Sequence, residues 1–361
     1  LLYNEEETFY RNLEKYHPQY YQSKYQFQPI TIQRIQSKIP NKQVLLWHTT
    51  LVDGVEYIFL ISKNTVQTYD YHAANYIPII KDISQKKYNQ LIIIPDFSTK
   101  WSRLEAYKLN GKYLIEKWSF IYNISATSYY STSNNKLINK KLLAIAPVNF
   151  KKEQLTTLKY SEEEIKNIEQ FFSVKSYIGQ AATKKTFNDN VLKYGGLHLL
   201  SHISFNPLNP MRSKLFLSPT DSLDDGVLYA HDIFGTPMRT QLVTLSACDA
   251  KKDKQTYNGI AGIADAFSYN GCKNILYSMW EVDDKTMKDI TVGFYKYLSE
   301  GFSKEKALQQ SKIDYLKTTD KYKSQAFYWS GIILQGNVEA LELSSSAISK
   351  YSFGIALILL V

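Results

Sequence analysis

Short aliphatic runs alternate with amphipathic helical segments along most of this chain, and no other feature of the sequence constrains its fold as strongly. Leu91–Ile94 is followed by Pro95, and Leu142–Ala146 is followed by Pro147. Such runs predict strands that are buried on both faces. Strands that alternate with helices predict an α/β fold in which helices cover both faces of a largely parallel sheet. From residue 141 onward the predicted strands are Leu142–Ala146, Leu197–His202, Leu242–Ala247, Asn274–Trp280 and Phe327–Leu334.

The part of the chain before residue 141 has a different pattern. Residues 1–38 carry a helical pattern and predict a helical connector. Val44–Trp47 and Val55–Ile61 flank Asp53-Gly54, which predicts a β-hairpin because glycine accepts the positive φ of such turns. We therefore expect residues 39–140 to form an adjoining, more antiparallel α/β half.

The rest of the chain divides into a main half and a tail. Residues 141–337 carry the regular strand and helix pattern, and residues 338–361 are expected to be a linker and an apolar tail. The run Phe353–Val361 has nine residues, whereas a membrane-spanning helix needs about 20. Two interpretations stay open: a tail or strand packed on the domain, and the first half of a truncated membrane segment. The protein is expected in the cytoplasm, with or without an anchor at its C-terminus.

The net charge of +9 comes from 43 basic and 34 acidic residues. Pairs such as Lys86-Lys87, Lys140-Lys141 and Lys251-Lys252 are scattered between the predicted elements and form no single stripe with interleaved aromatic residues. Nucleic-acid interfaces carry such a stripe or patch. We therefore expect no nucleic-acid partner.

The composition excludes several other protein classes. An apolar content of 44% excludes intrinsic disorder for most of the chain. Two cysteines, Cys248 and Cys272, cannot form a disulfide framework, and neither has a partner at the spacing of a structural zinc site. Gly259 and Gly262 bracket a predicted helix start, but no Lys-Ser or Lys-Thr pair follows as in a phosphate loop. The sequence predicts no metal, no cofactor and a reducing compartment.

A helix start is predicted at Ser161. Ser161 and Glu164 have the spacing of a capping box, and Ile165, Ile168 and Phe172 supply the apolar stripe of the helix that follows.

Two residues that could do chemistry follow the ends of predicted strands. His202 ends one strand, and Cys248 lies just beyond the end of another. Ligands bind at the carboxyl ends of the strands in open parallel sheets. If the two strands are neighbours, the imidazole and the thiol meet at one edge, where the imidazole activates the thiol and the Cys248 N–H faces a developing oxyanion.

Six blocks of the sequence resemble the CHAT family in their order and spacing, and weaker similarity extends over roughly residues 40–336. This family comprises caspase-like and separase-like cysteine peptidases that are commonly fused to tetratricopeptide repeats. The resemblance implies a caspase-like α/β fold, with residues 39–140 as a pseudo-caspase-like half. The blocks are Gly196–His202, Leu242–Asp249, Gly262–Gly271, Tyr277–Asp284, Phe294–Leu298 and Phe327–Ser330.

The resemblance also implies roles for individual residues. Cys248 is implied to be the nucleophile and His202 the general base. The backbone N–H groups of Ile203 and Cys248 are implied to form the oxyanion hole. The family usually has glycine where this chain has Ile203, and a β-branched residue does not adopt a positive φ. The isoleucine at this position therefore puts in doubt how strongly the oxyanion hole stabilises the intermediate.

Substrate specificity is implied by one further position. In separases the residue that matches Asp284 selects arginine before the scissile bond, and a carboxylate at a pocket floor favours Lys or Arg. Asp249, next to the nucleophile, is a second candidate for substrate binding. Asp284 also begins a predicted helix, where aspartate is a preferred N-cap, so both roles stay open.

The other histidines and the second cysteine are expected to be structural. His198 lies inside a predicted strand, His231 has no partner at metal spacing and is expected at the surface or as a cap, and Cys272 is expected in the core.

We predict a cysteine endopeptidase that cleaves a partner protein, controlled by a sensor or repeat module and acting in a bacterial defence or regulatory assembly. Residues 1–38 are interpreted as the end of a repeat array. The alternative is a catalytically inactive CHAT docking module, which the substitution at Ile203 favours. A third hypothesis is a membrane-linked adaptor that uses the C-terminal apolar run.

Overall fold

The computed structural model describes residues 11, 15, 29–50, 54–70, 76–95, 104–131, 141–148, 150, 155–206, 208–221, 223–246, 261–272 and 274–337. The strands in this part of the chain are β1 Gln43–Thr50, β2 Glu56–Ile61, β3 Val66–Asp70, β4 Gln90–Ile94, β5 Lys108–Leu109, β6 Lys112–Tyr113, β7 Ser119–Tyr122, β8 Leu142–Ala146, β9 Val174–Ile178, β10 Gly196–Leu200, β11 Ile203–Ser204, β12 Lys214–Phe216, β13 Val227–Tyr229, β14 Leu242–Ser246, β15 Asn274–Ser278 and β16 Ile332–Gln335.

Ten α-helices lie among the described residues. They are α1 Ile32–Lys38, α2 Ile77–Gln85, α3 Ala126–Ser131, α4 Ser161–Ile168, α5 Lys184–Asn190, α6 Ala230–Phe234, α7 Ala261–Tyr269, α8 Asp284–Ser299, α9 Lys304–Thr318 and α10 Ala326–Trp329. Short 3-10 helices cover Leu104–Ala106, Leu114–Glu116, Gly179–Ala181, Val191–Lys193 and Pro210–Arg212.

Eleven of the strands form one sheet in the order β3-β2-β1-β4-β7-β16-β15-β14-β10-β8-β9. Its neighbours are parallel except for the pairs β1 with β2, β2 with β3 and β15 with β16. The predicted α/β class with a mostly parallel sheet is therefore confirmed. Strands from both predicted halves belong to this sheet, and they meet where β7 pairs with β16.

The middle of the sheet carries the core. Every residue of β4, β8, β10, β14, β15 and β16 is buried. Side chains alternate between the two faces of a strand, so complete burial means that both faces are covered. The predicted hairpin is also confirmed, since β1 and β2 are antiparallel and Gly54 has a φ of +81°.

Phe327–Leu334 was predicted to be one strand, and this prediction is wrong in its first half. Ala326–Trp329 is a helical turn, and the strand begins only at Ile332. The aromatic residues favour a strand, but Phe327 is 49% exposed and the buried Trp329 donates its indole N–H to the Ser324 carbonyl. Turn hydrogen bonds and the burial of Trp329 thus override the strand propensity of this segment.

The capping-box prediction at Ser161 is also wrong. Tyr160 is the N-cap of α4, and the Ser161 hydroxyl donates to the Leu158 carbonyl instead. Glu164 is 1% exposed. It lies on the same buried face of the helix as Ile165 and Ile168, and its carboxylate accepts a hydrogen bond from Ser246.

Candidate active site

The carboxyl ends of β10 and β14 lie side by side. The two strands are parallel neighbours, and Leu200 pairs with Ser246 at their last residues. The strand containing His198 ends at Leu200, two residues earlier than predicted, so His202 lies in the connection between β10 and β11. The condition set by the sequence, that these two strands are neighbours, is met.

A cavity of about 400 Å³ opens at this edge of the sheet. It is bounded by the segment before α4, by the ends of β10, β14 and β15, by the start of α8 and by α10. Its lining residues are Thr156, Thr157, Leu158, His202, Ser246, Ser278, Glu281, Val282, Asp283, Asp284, Met287, Phe327 and Tyr328.

His202 is 3% exposed and is held on two sides. Its Nε2 lies 2.7 Å from the carbonyl oxygen of Thr156, and its ring packs edge-on against Phe150 with the centroids 4.7 Å apart. A carbonyl oxygen only accepts hydrogen bonds, so Nε2 carries the hydrogen and Nδ1 keeps its lone pair in the neutral ring. No residue within the described ranges forms a hydrogen bond with Nδ1, which is buried.

Cys248 and Asp249 fall within residues 247–260, outside the described part of the chain. Their predicted roles therefore stay predictions.

Ile203 is buried and begins the short strand β11, which is antiparallel to β12. The Phe216 N–H donates to the His202 carbonyl, 3.1 Å away. This bond makes Ile203 and Leu215 a pair without hydrogen bonds to each other, so the Ile203 N–H faces away from β12. Asn110 and Val148 are the non-glycine residues with positive φ among those described. Ile203 thus has the extended backbone that a β-branched residue prefers.

Asp283 and Asp284 have different surroundings. Asp283, and not Asp284, is the N-cap of α8: its carboxylate accepts the Thr286 N–H at 3.0 Å and pairs with Lys323 at 3.0 Å. Burial alone would raise the pKa of Asp283, but the hydrogen bonds from Lys323 and Thr286 outweigh it and lower that pKa. The helix start leaves the Asp284 carboxylate available for another role.

Asp284 accepts the backbone N–H of Tyr160 at 3.2 Å. Burial raises the pKa of its carboxyl, and the nearby Glu164 and Asp283 add to this effect. None of the described lysines or arginines forms an ion pair with Asp284. The cavity wall therefore carries a half-buried carboxylate that the described residues leave without a counter-ion.

Beneath the cavity lies a group of buried polar side chains that the sequence did not predict. The Ser246 hydroxyl donates to Glu164 Oε2 at 3.1 Å. The other oxygen, Oε1, lies 3.1 Å from His198 Nε2, and both side chains are 1% exposed. The two atoms are close enough for an ion pair, but their relative orientation is not that of a hydrogen bond. His198, predicted to be structural, thus lies under the cavity and packs edge-on against the Tyr295 ring.

The two other residues considered from sequence lie outside the cavity lining. His231 has half of its side chain exposed, and its Nδ1 lies 3.1 Å from the Met211 carbonyl oxygen. Cys272 is 4% exposed and belongs to the main apolar cluster, as predicted, and burial raises the pKa of its thiol to about 12.

Thr156, Glu164, Ser246 and Ser278 are site residues that the sequence analysis missed. Thr156 contributes through its backbone carbonyl, which no side-chain pattern indicates. The sequence did indicate Glu164, because the helical period places this charged residue on the same buried face as Ile165 and Ile168.

Within the described ranges, no group of three or more His, Cys, Asp or Glu side chains is arranged to hold a metal ion. No helix described by the structure has the length and apolar character to cross a bilayer. The terminal run Phe353–Val361 lies outside the described residues.

Several solved structures resemble this fold. The Arg-specific cysteine proteinase gingipain R (RgpB) is 10% identical over 74% of this chain and 68% of its own, with a TM-score of 0.48. The complex of the Porphyromonas gingivalis RgpB pro- and mature domains gives 11% identity, coverages of 74% and 70% and the same TM-score. The Saccharomyces cerevisiae separase–securin complex is 11% identical over 76% of this chain and 16% of its own, with a TM-score of 0.45.

No curated protein matches the chain. The CHAT domain profile matches residues 71–337, which is well over half of the 361 residues. This match confirms the family predicted from the six sequence blocks, and the sheet is of the predicted mostly parallel α/β class. The chain belongs to the CHAT domain family.

Proposed function

We propose that this chain is a cysteine endopeptidase in which Cys248 is the nucleophile and His202 the general base. One observation carries the proposal: Leu200 and Ser246 pair at the ends of parallel strands. His202 and Cys248 each follow their member of this pair by two residues. Neighbouring strands lie about 4.8 Å apart, so equal offsets from a register pair favour a meeting of the two side chains at the cavity.

The state of His202 suits this role. Its Nε2–H is held by the Thr156 carbonyl, which leaves the Nδ1 lone pair to accept the thiol proton. The thiolate then attacks the scissile carbonyl carbon and forms the C–S bond. As the tetrahedral intermediate collapses, His202 returns the proton to the leaving amine and the C–N bond breaks. Water, deprotonated by the same Nδ1, hydrolyses the thioester and regenerates the thiol.

The oxyanion hole is proposed to use the backbone N–H groups of Ile203 and Cys248. The direction of the Ile203 N–H, away from β12, supports its part in this proposal. An N–H donor needs no glycine, and the extended backbone of Ile203 does not strain a β-branched side chain.

We propose that the cavity takes a basic residue of the substrate, with Asp284 as its carboxylate. Support comes from the described lining, in which Asp284 has no ion-pair partner whereas Asp283 is paired with Lys323. A guanidinium or ammonium group would form charge-assisted hydrogen bonds with Asp284. Asp249 stays a second candidate, and control by a sensor or repeat module stays part of the proposal.

The experiment is labelling of the full chain with an irreversible peptide probe that carries arginine next to a thiol-reactive ketone. We expect labelling of the wild type and of Cys272→Ala, because the Cys272 thiol is buried and its pKa is raised. We expect none in Cys248→Ala and at least a hundredfold slower labelling in His202→Ala. Labelling at equal rates with and without His202 would contradict the mechanism, and absence of labelling in all four proteins would favour the inactive docking module.

A further inference from the structure

We propose that Ser246 and Ser278 form a floor in the cavity that offers only hydrogen-bond acceptors, and that Glu164 is the positioning residue that fixes Ser246 in this state. The proposal rests on the proposed function, in which the cavity takes a basic side chain. It assigns specificity to residues beyond Asp284.

The two serines lie next to each other at the ends of neighbouring strands. β14 and β15 are parallel, and Leu245 pairs with Tyr277, so Ser246 and Ser278 are the next residues in the same register. Residues in register on parallel strands point to the same face of the sheet. Both serines line the cavity although they are only 6% and 1% exposed.

Each hydroxyl has already donated its single hydrogen inside the protein. Ser246 donates to Glu164 at 3.1 Å, and Ser278 donates to the carbonyl oxygen of Trp280 at 2.7 Å. A hydroxyl has one hydrogen and two lone pairs. Each of the two hydroxyl oxygens can therefore only accept a hydrogen bond from a ligand.

The acceptor-only floor matches one chemical class of ligand. Asp284, when ionised, is also an acceptor without donors. A guanidinium or ammonium group has donors only and satisfies these three acceptors, whereas a neutral group with a carbonyl oxygen places that oxygen against them. Arginine and citrulline have nearly the same shape and differ in this respect.

Glu164 controls the direction of the Ser246 hydroxyl. Its carboxylate accepts from Ser246 through one oxygen and lies against His198 through the other. A glutamine at this position has an amide group that can donate, so Ser246 could accept from it and turn its own hydrogen into the cavity. Glu164→Gln is therefore expected to change Ser246 from acceptor to donor without removing the hydroxyl.

The test measures the binding of capped Ala-Ala-Arg and Ala-Ala-citrulline peptides to the full chain by calorimetry. All proteins carry Cys248→Ala, so that binding is measured without cleavage. We expect the arginine peptide to bind tighter than the citrulline peptide. The dissociation constant of the citrulline peptide divided by that of the arginine peptide should fall about tenfold in Ser246→Ala, Ser278→Ala and Glu164→Gln. The loss of one hydrogen bond to a charged group weakens binding by about this factor or more.

Ser311→Ala is the matched control. Its buried hydroxyl also donates to a backbone carbonyl, that of Ile290, but it lies outside the cavity lining. General damage to the fold would weaken both peptides equally and leave the ratio unchanged. An unchanged ratio in the two serine variants, equal binding of both peptides, or binding of neither peptide overturns the floor proposal. Because the assay needs no thiol, its result is independent of whether the wild type is labelled in the preceding experiment.

Discussion

Leu200 and Ser246 are 46 residues apart in sequence and pair directly at the ends of two parallel strands. The chain leaves β10 at its carboxyl end and crosses to the opposite edge of the sheet to begin β14, as parallel pairing requires, so both strands end at the same edge. This pairing places the carboxyl ends of both strands at one cavity, which Ser246 at the end of β14 and His202 after β10 both line.

Two adjacent aspartates are predicted to respond differently to substitution. Asp283→Ala removes the N-cap of α8 and the pair with Lys323, so the free energy of unfolding should fall by about 1 kcal/mol. Asp284→Asn should leave stability unchanged or raise it at neutral pH, because burial raises the pKa of the carboxyl and thus disfavours its charged form. Urea unfolding of the two variants measures both effects. A loss of stability in Asp284→Asn equal to that in Asp283→Ala would show that the assignment of the cap is wrong.

Asp265 on α7 is predicted to make the fold less stable at neutral pH. Burial raises its pKa from 3.8 to about 6. When the pKa of an acid is higher in the folded state than in the unfolded state, the free energy of unfolding falls as the pH rises from the unfolded pKa to the folded pKa. For Asp265 this range extends from about pH 4 to about pH 6. Asp265→Asn removes this loss, so it should be more stable than the wild type at pH 7 by at most about 3 kcal/mol.

The comparison must be made at two values of pH. At pH 4 or below the difference between the Asp265→Asn variant and the wild type should nearly vanish, and thermal unfolding across this range measures it. A difference that stays constant from pH 4 to pH 7 would mean that the carboxyl does not titrate as described.

A buried ion pair joins the 3-10 helix Leu104–Ala106 to helix α9. Lys312 Nζ lies 2.9 Å from Glu105 Oε2, both side chains are 1% exposed, and burial lowers the pKa of Lys312. Lys312→Met leaves the glutamate charge buried without this partner and should cost about 3 to 5 kcal/mol.

The double variant Lys312→Met/Glu105→Leu is the control for this pair. Replacing a buried ion pair by apolar residues of similar volume is often nearly neutral, so the double variant should recover most of the lost stability. Denaturant unfolding of the wild type, of Lys312→Met, of Glu105→Leu and of the double variant gives the coupling energy, and losses that simply add would rule out a direct interaction between the two charges.

The sequence predicted the parts of the fold that depend on long regular patterns. The aliphatic runs at Leu91 and Leu142 are buried strands, and Ile165 and Ile168 of the stripe predicted after Ser161 lie on the buried face of α4. These patterns extend over several residues, and burial of apolar area depends on them directly. For the strands before His202 and Cys248, sequence reasoning set the condition that they be neighbours, and the pairing of β10 with β14 meets it.

Short segments were harder to predict, because their outcome depends on tertiary contacts. The Ser161 spacing fitted a capping box, yet Ser161 bonds backward to Leu158 and Glu164 is taken up by Ser246 and His198. Phe327 is part of a helical turn although its neighbours favour a strand. The contribution of the Thr156 carbonyl is a backbone property of a connecting segment, and no residue type indicates it.

The pH dependence of Cys248 alkylation tests the central claim, that the thiol of Cys248 meets the imidazole of His202, most directly. In the Cys272→Ala background, Cys248 is the single cysteine, and the rate of its reaction with iodoacetamide reports its thiolate. We predict a thiol pKa clearly below the free value of about 8.5 and a return to about that value when His202→Ala is added. Identical profiles with and without His202 would contradict the account.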